Sequence, residues 1–169
     1  MAYTDNEKLR VVYGDFTLGV HGEGFSYIFS YAQGGLESIV KDGYEWLFRC
    51  PKPTFWRALT DNDRGSKFHI KSGHWLAADM FIDCQDITVI MDGAVQNCKA
   101  PDNNSYGGDV SENEITVKYL YKTISVPVTT VMVSYTVNIS GKIKVDVHYD
   151  GKKDLPEFPV FGIRFIMPT

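Results

Sequence analysis

The chain has 169 residues, 44% hydrophobic and 22% charged, with 17 Lys and Arg against 21 Asp and Glu for a formal net charge of −4. That is one domain of ordinary size and normal globular composition. Without a basic run, nucleic acid and anionic membranes are not expected partners, and no apolar run approaches membrane-spanning length.

In chain order, alternation of period two dominates. Weak strand signals lie at Leu9 to Tyr13 and Phe16 to Val20. Phe25, Tyr27, Phe29 and Tyr31 then share one face of a strand, with Ser26 and Ser30 on the other. Shorter signals follow at Leu36 to Val40, Glu45 to Phe48 and Ile87 to Met91. Between the last two, Asp61 to Ser72 reads as a polar loop. Gly73 to Phe81 reads as one short helix with a stripe of Trp75, Leu76 and Met80. The run Lys99 to Gly108 is dense in turn residues and reads as a mobile loop. Ile115, Val117, Tyr119 and Tyr121 alternate again, then Val131, Val133, Tyr135, Val137 and Ile139. After Ser140-Gly141 the pattern resumes at Ile143, Val145, Val147 and Tyr149, which predicts a hairpin. A last signal spans Val160 to Ile166.

Many short strands with glycine turns, and an aromatic share of 14%, predict an all-β, antiparallel β-sandwich with one short helix. No composition shift marks a second domain, so residues 1–169 are read as one. The chain stops at Pro168-Thr169, straight after an apolar run, and is read as a truncation within a larger protein. Cys50, Cys84 and Cys98 are odd in number and form no C-x-x-C pair. With no apolar leader in MAYTDNEKLR, a reducing, cytoplasmic setting is expected.

The densest polar cluster is FWRALTDNDRG, which groups Arg57, Asp61, Asn62, Asp63, Arg64 and Gly65 beside Trp56. Carboxylates, amides and a flat indole suit a loop facing a sugar or a partner. The plainer reading is an Asx-rich loop that caps its own backbone and pairs Arg with Asp. If Arg57 pairs with Asp61 or Asp63, the cluster is structural. Asp61-x-Asp63 opens like a calcium loop, but Gly65, Ser66 and Ser72 occupy positions where that loop needs Asp or Asn, Gly and Glu. Adjacent loop acids also make a poor acid/base pair, since such a pair needs unlike environments. His21, His69, His74 and His148 form no zinc-type spacing, so no metal site is expected. No phosphate-cradling or nucleophile-elbow motif occurs.

The stretch PTFWRALTDNDRG closely resembles the signature that opens the last domain of family 2 β-galactosidases. VVYGDFTLGVHGEGFSYIFSYAQGGLESI before it, and IKVDVHYDG with LPEFPVFGIRFIMPT after it, resemble the small subunit of the split, heteromeric lactic-acid-bacterial enzymes. The resemblance spans essentially the whole chain. It implies a galactose-mutarotase-like supersandwich, incomplete here. It implies a large-subunit partner holding the two catalytic glutamates and the magnesium and sodium sites, with a galactoside as substrate of the complex. It places a moving loop near Gly65, a residue with the backbone freedom a hinge needs. It leaves the tryptophan that lines the galactose pocket further downstream, outside this sequence. The expectation is therefore no catalytic residue and no cofactor in this chain, with Arg57, Asp61, Asn62, Asp63 and Gly65 positioning the loop. Two rivals stand beside it. One is a carbohydrate-binding sandwich with exposed aromatics. The other is an aldose-epimerase-like protein pairing His69, His74 or His148 with Asp63 or Asp146.

Overall fold

The computed structural model describes residues 8–96, 107–111 and 113–169. Cys98 and positions 99–106 of the turn-rich run fall outside them. Within them the chain is an antiparallel sandwich. The first sheet holds β1 (Leu9–Tyr13), β2 (Thr17–Gly22), β3 (Phe25–Ser30), β4 (Gly35–Lys41) and β5 (Tyr44–Glu45). The second holds β7 (Asp83–Met91), β8 (Ala94–Gln96), β10 (Glu114–Lys122), β11 (Thr130–Asn138) and β12 (Ile143–Asp150). Strand β9 (Gly107–Ser111) returns to pair with β1, giving orders β5-β4-β3-β2-β1-β9 and β12-β11-β10-β7-β8. A separate two-stranded ribbon joins β6 (Arg49–Thr54) to β13 (Gly162–Ile166).

The alternation explains the sandwich. Leu18 and Val20, then Phe25, Tyr27 and Phe29, turn one face of the first sheet inward and are buried. Val117, Tyr119, Tyr121, Val133 and Tyr135 do the same from the second. Burying such side chains stabilises by roughly 25 cal/mol per Å² of apolar surface. The sheets meet through rings, with Phe29 and Tyr135 centred 5.9 Å apart. Buried phenols close the gaps. Tyr27 donates to the Gly141 carbonyl at 2.6 Å, Tyr119 to Gly35 at 3.1 Å and Tyr121 to Gly34 at 2.8 Å. The predicted hairpin at Ser140-Gly141 forms, pairing β11 with β12 from Thr130↔Asp150 to Val137↔Ile143.

Gly34 and Gly35 are required where they stand. Their φ angles are 61° and 140°, values that L side chains rarely adopt. A Cβ at Gly34 would lie 2.4 Å from Cys84 Cβ, and one at Gly35 would lie 2.4 Å from Cys50 Sγ.

Four readings of the sequence change. The run Asp61 to Ser72 is not a plain loop. It contains α1 (Asp61–Gly65) and α2 (Phe68–Lys71), each too short to show helical periodicity. The helix expected over Gly73 to Phe81 shrinks to a 3-10 turn at Gly73–Trp75. There Trp75 is buried while Leu76 and Met80 are exposed, so no apolar stripe forms. Finally, β6 gave no alternating signal because it carries Pro51 and Pro53. Proline is tolerated there since β6 pairs on one side only, with β13. The turn-rich run also ends in structure, as Gly107 and Gly108 open β9.

Candidate functional site

The segment FWRALTDNDRG leaves β6 and enters α1, and one buried ring anchors it. Phe55 is fully buried. It stacks on Trp75 at 5.1 Å and packs against Tyr149, Phe158 and Phe161 at 6.3, 6.1 and 5.8 Å. Trp75 is held in turn by its indole N–H, which donates to the Pro156 carbonyl at 2.7 Å. Aromatic pairs at such spacings add about 0.5–1.5 kcal/mol each beyond area burial.

Two residues further on, Arg57 acts as a brace. Its guanidinium donates to both Asp63 carboxylate oxygens, at 2.7 and 3.2 Å. It also donates to the Ala58 carbonyl at 2.9 Å and to the Pro159 carbonyl at 3.1 Å. A fork of this kind fixes geometry as well as supplying attraction. Asp63 faces the other way too, accepting from the Thr60 backbone N–H at 2.7 Å and the Thr60 hydroxyl at 2.8 Å. Thr60 Oγ1 accepts from the Asp63 N–H at 3.3 Å, which completes a capping box at the start of α1. The Arg57 guanidinium, followed by the Thr60 donors, holds the Asp63 carboxyl well below the usual carboxylate range.

The remaining members of the cluster face outward. Asp61 is paired with Arg64 at 2.7 Å, yet its side chain is 99% exposed. A surface pair three residues apart on a helix adds little. Asn62 is exposed at the tip of α1. Gly65 ends the helix with nothing within 4 Å of where a Cβ would stand and with an ordinary φ, so neither space nor backbone demands glycine in this conformation. The left-handed residue is Lys67, at φ 57°, where the chain turns from α1 into α2.

The sequence-predicted residues therefore divide. Arg57 and Asp63 form the internal brace that the plainer reading of the cluster anticipates. Asp61, Asn62 and Gly65 form an exposed tip carried on it. Thr60 was missed, although Thr followed three residues later by Asp is a legible cap pattern. Pro159, Phe158 and Phe161 were missed because nothing local links them to a segment some hundred residues earlier.

Other arrangements are less productive. His74 Nε2 accepts from the Val126 N–H at 3.1 Å and its ring lies edge-on to Trp75. His148 is exposed on β12, and Asp146 is paired with Lys144 at 2.9 Å. With Asp63 committed to Arg57, no His–carboxylate pair of the epimerase kind forms among these residues. Tyr44 and Trp46 are each 47% exposed and their rings meet edge to face at 73°, so the two do not form one continuous flat platform.

Residues 21–169 match the family described as beta galactosidase small chain. A beta-galactosidase small subunit from Latilactobacillus sakei is 58% identical over 165 residues, which cover 97% of this chain and 52% of that protein. A beta-galactosidase from Clostridium acetobutylicum is 36% identical over 163 residues, 96% of this chain and 16% of that protein. One from Streptococcus thermophilus is 32% identical over 157 residues, 93% and 14% respectively. The chain thus spans about half the length of the small-subunit relative and a far smaller share of the other two.

Proposed function

This chain belongs to the beta galactosidase small chain family, and from that premise we propose that it helps complete the galactoside-cleaving site of a large-subunit partner. The reaction is retaining hydrolysis of terminal β-D-galactosides such as lactose, with the acid/base and nucleophile glutamates, and the magnesium and sodium ions, on the partner. This chain supplies scaffold, interface and the α1 tip. Asp61 and Asn62 face the assembled site, and Gly65 lets the tip move as it opens and closes. Arg57 and Asp63 are positioning residues that hold α1 on the sandwich. The complex works in the cytoplasm.

One observation carries this reading: the carboxylates of the cluster are unsuited to proton transfer. Retaining glycosidases need two carboxyls about 5–5.5 Å apart with their pKa values pushed apart. Here Asp63 is locked as an anion between Arg57 and Thr60, and Asp61 is a solvated surface acid. A bidentate brace under an exposed tip is what a loop delivered to another chain requires.

The test is complementation with a chromogenic β-galactoside. The large subunit, this chain and the full-length small subunit are assayed alone and in pairs. Neither the large subunit nor this chain is expected to hydrolyse the substrate alone. The full-length pair is expected to be active, and Arg57→Ala in it should lower kcat/KM while the subunits still co-elute. Hydrolysis by this chain alone would overturn the proposal.

A further inference from the structure

We propose that the cleft between the β6–β13 ribbon and the turn after β3 binds a small phosphate-type oxyanion. The cleft has a volume of about 310 Å³ and is lined by Gln33, Arg49, Cys50, Lys52, Asp79, Met80 and Arg164. Four separate stretches of chain build it: the β3–β4 turn, β6, the segment after the 3-10 turn, and β13. None of the residues of the α1 cluster contributes, so the inference does not depend on the function proposed above.

The register makes the charge arrangement unusual. Lys52 stands directly opposite Arg164 across the ribbon, so both project from the same face. Like charges directly opposite on paired strands destabilise each other. Arg49 sits three residues before Lys52 on the same strand and lines the same cleft. Against these three cations the cleft offers one carboxylate. Asp79 accepts from Arg164 Nη2 at 2.8 Å, with its side chain only 12% exposed. Arg49 and Lys52 hold no ion pair among the described residues. Two cations thus remain uncompensated in a concave site, on a chain whose acids outnumber its bases by 21 to 17. An excess of one sign of charge in a concavity focuses its field there.

The remaining lining sets the ligand class. The Gln33 amide can donate to an oxygen, and a volume near the lower end of small-molecule sites leaves room for a sugar-sized body beside the anion. The Cys50 thiol belongs to the floor. Its sulfur turns toward the Gly34 carbonyl at 3.7 Å, and burial pushes its pKa up to about 11. Glu37 also acts on that thiol but does not line the cleft. Two free cations match the two charges of a phosphate or phosphate monoester near neutral pH.

The experiment uses the full-length small subunit assembled with its large subunit. Calorimetry at constant ionic strength follows titration with inorganic phosphate, with glucose 6-phosphate and with glucose. Saturable binding of one phosphate compound per small subunit is expected, with no binding of glucose at this cleft. Arg49→Gln and Lys52→Gln should each weaken it on the order of tenfold. Asp79→Asn should strengthen it by freeing Arg164, an opposite sign that a general loss of structure would not give. Equal affinity for the two phosphates assigns the site to the free ion, and tighter glucose 6-phosphate assigns it to a phosphorylated small molecule. Absence of saturable binding by either, unchanged affinity in R49Q and K52Q, or glucose binding abolished by those variants would each overturn the proposal.

Discussion

Replacing Phe55 by Ala tests whether the aromatic cluster truly seats the α1 segment. The ring is fully buried and touches four others. A buried phenyl removes about 150–250 Å² from water, which at ~25 cal/mol per Å² gives an upper bound of about 4–6 kcal/mol. Large-to-small changes of this kind cost about 3–5 kcal/mol once the residual cavity is included, so about 4 kcal/mol is expected for Phe55→Ala. Phe55→Leu keeps most of the volume and should cost about 1.5 kcal/mol or less. Trp75, stacked at 5.1 Å, provides a fluorescence reporter for urea unfolding. The free-energy change is read from the shift in midpoint at constant slope. Phe16→Ala is the control, because that ring is 73% exposed and should fall within about 0.5 kcal/mol of wild type. If Phe55→Ala costs no more than Phe16→Ala, the cluster does not hold the segment and the account of the brace fails with it.

Other outcomes follow from the same geometry. Asp63 has a carboxyl held below its ordinary value by Arg57, so its stabilisation is fully present above about pH 4, the unfolded value. That stabilisation is lost as pH falls further toward the folded value. Thermal scans of wild type and Asp63→Asn should therefore differ by a constant amount from pH 7 to about pH 4.5 and converge below. Gly35→Ala should fail to fold or lose several kcal/mol, since its Cβ would meet Cys50 Sγ at 2.4 Å at a φ of 140°. Gly65→Ala, with open space around it, should keep or raise stability by about 0.5 kcal/mol while slowing turnover of the assembled enzyme. Cys50, with its thiol pushed up to about 11, should react with iodoacetamide at pH 8 far more slowly than an unfolded thiol, as mass spectrometry would show.

Strands with one wet face were legible because alternation records burial. β10, β11 and β12 were readable within a residue or two. β6 was not, since Pro51 and Pro53 erase a pattern that only its edge position makes tolerable. α1 was invisible to periodicity at five residues, and its cap was the available signal. At the site, the sequence offered Arg57 a partner in either Asp61 or Asp63, and only the fold selects Asp63. Their other anchors, the Pro159 carbonyl and the rings of Phe158 and Phe161, come from a connection after β12 that no local pattern ties to α1. The same holds for the cationic cleft, where the opposition of Lys52 and Arg164 exists only in the ribbon's register.

The return of β9 to β1 also imposes a timetable. Leu9 pairs with Ser111 and Tyr13 with Gly107, whereas β1 to β5 pair in sequential order. On a ribosome the first five strands can close as a meander while the outer edge of β1 waits for roughly 100 further residues. At ~5–20 residues per second that wait is about 5–20 s. Throughout it a strand whose side chains Leu9 and Val11 are destined for the core presents unpaired backbone groups to every neighbouring nascent chain. Slowing translation upstream of Gly107 should therefore raise aggregation more than slowing it downstream.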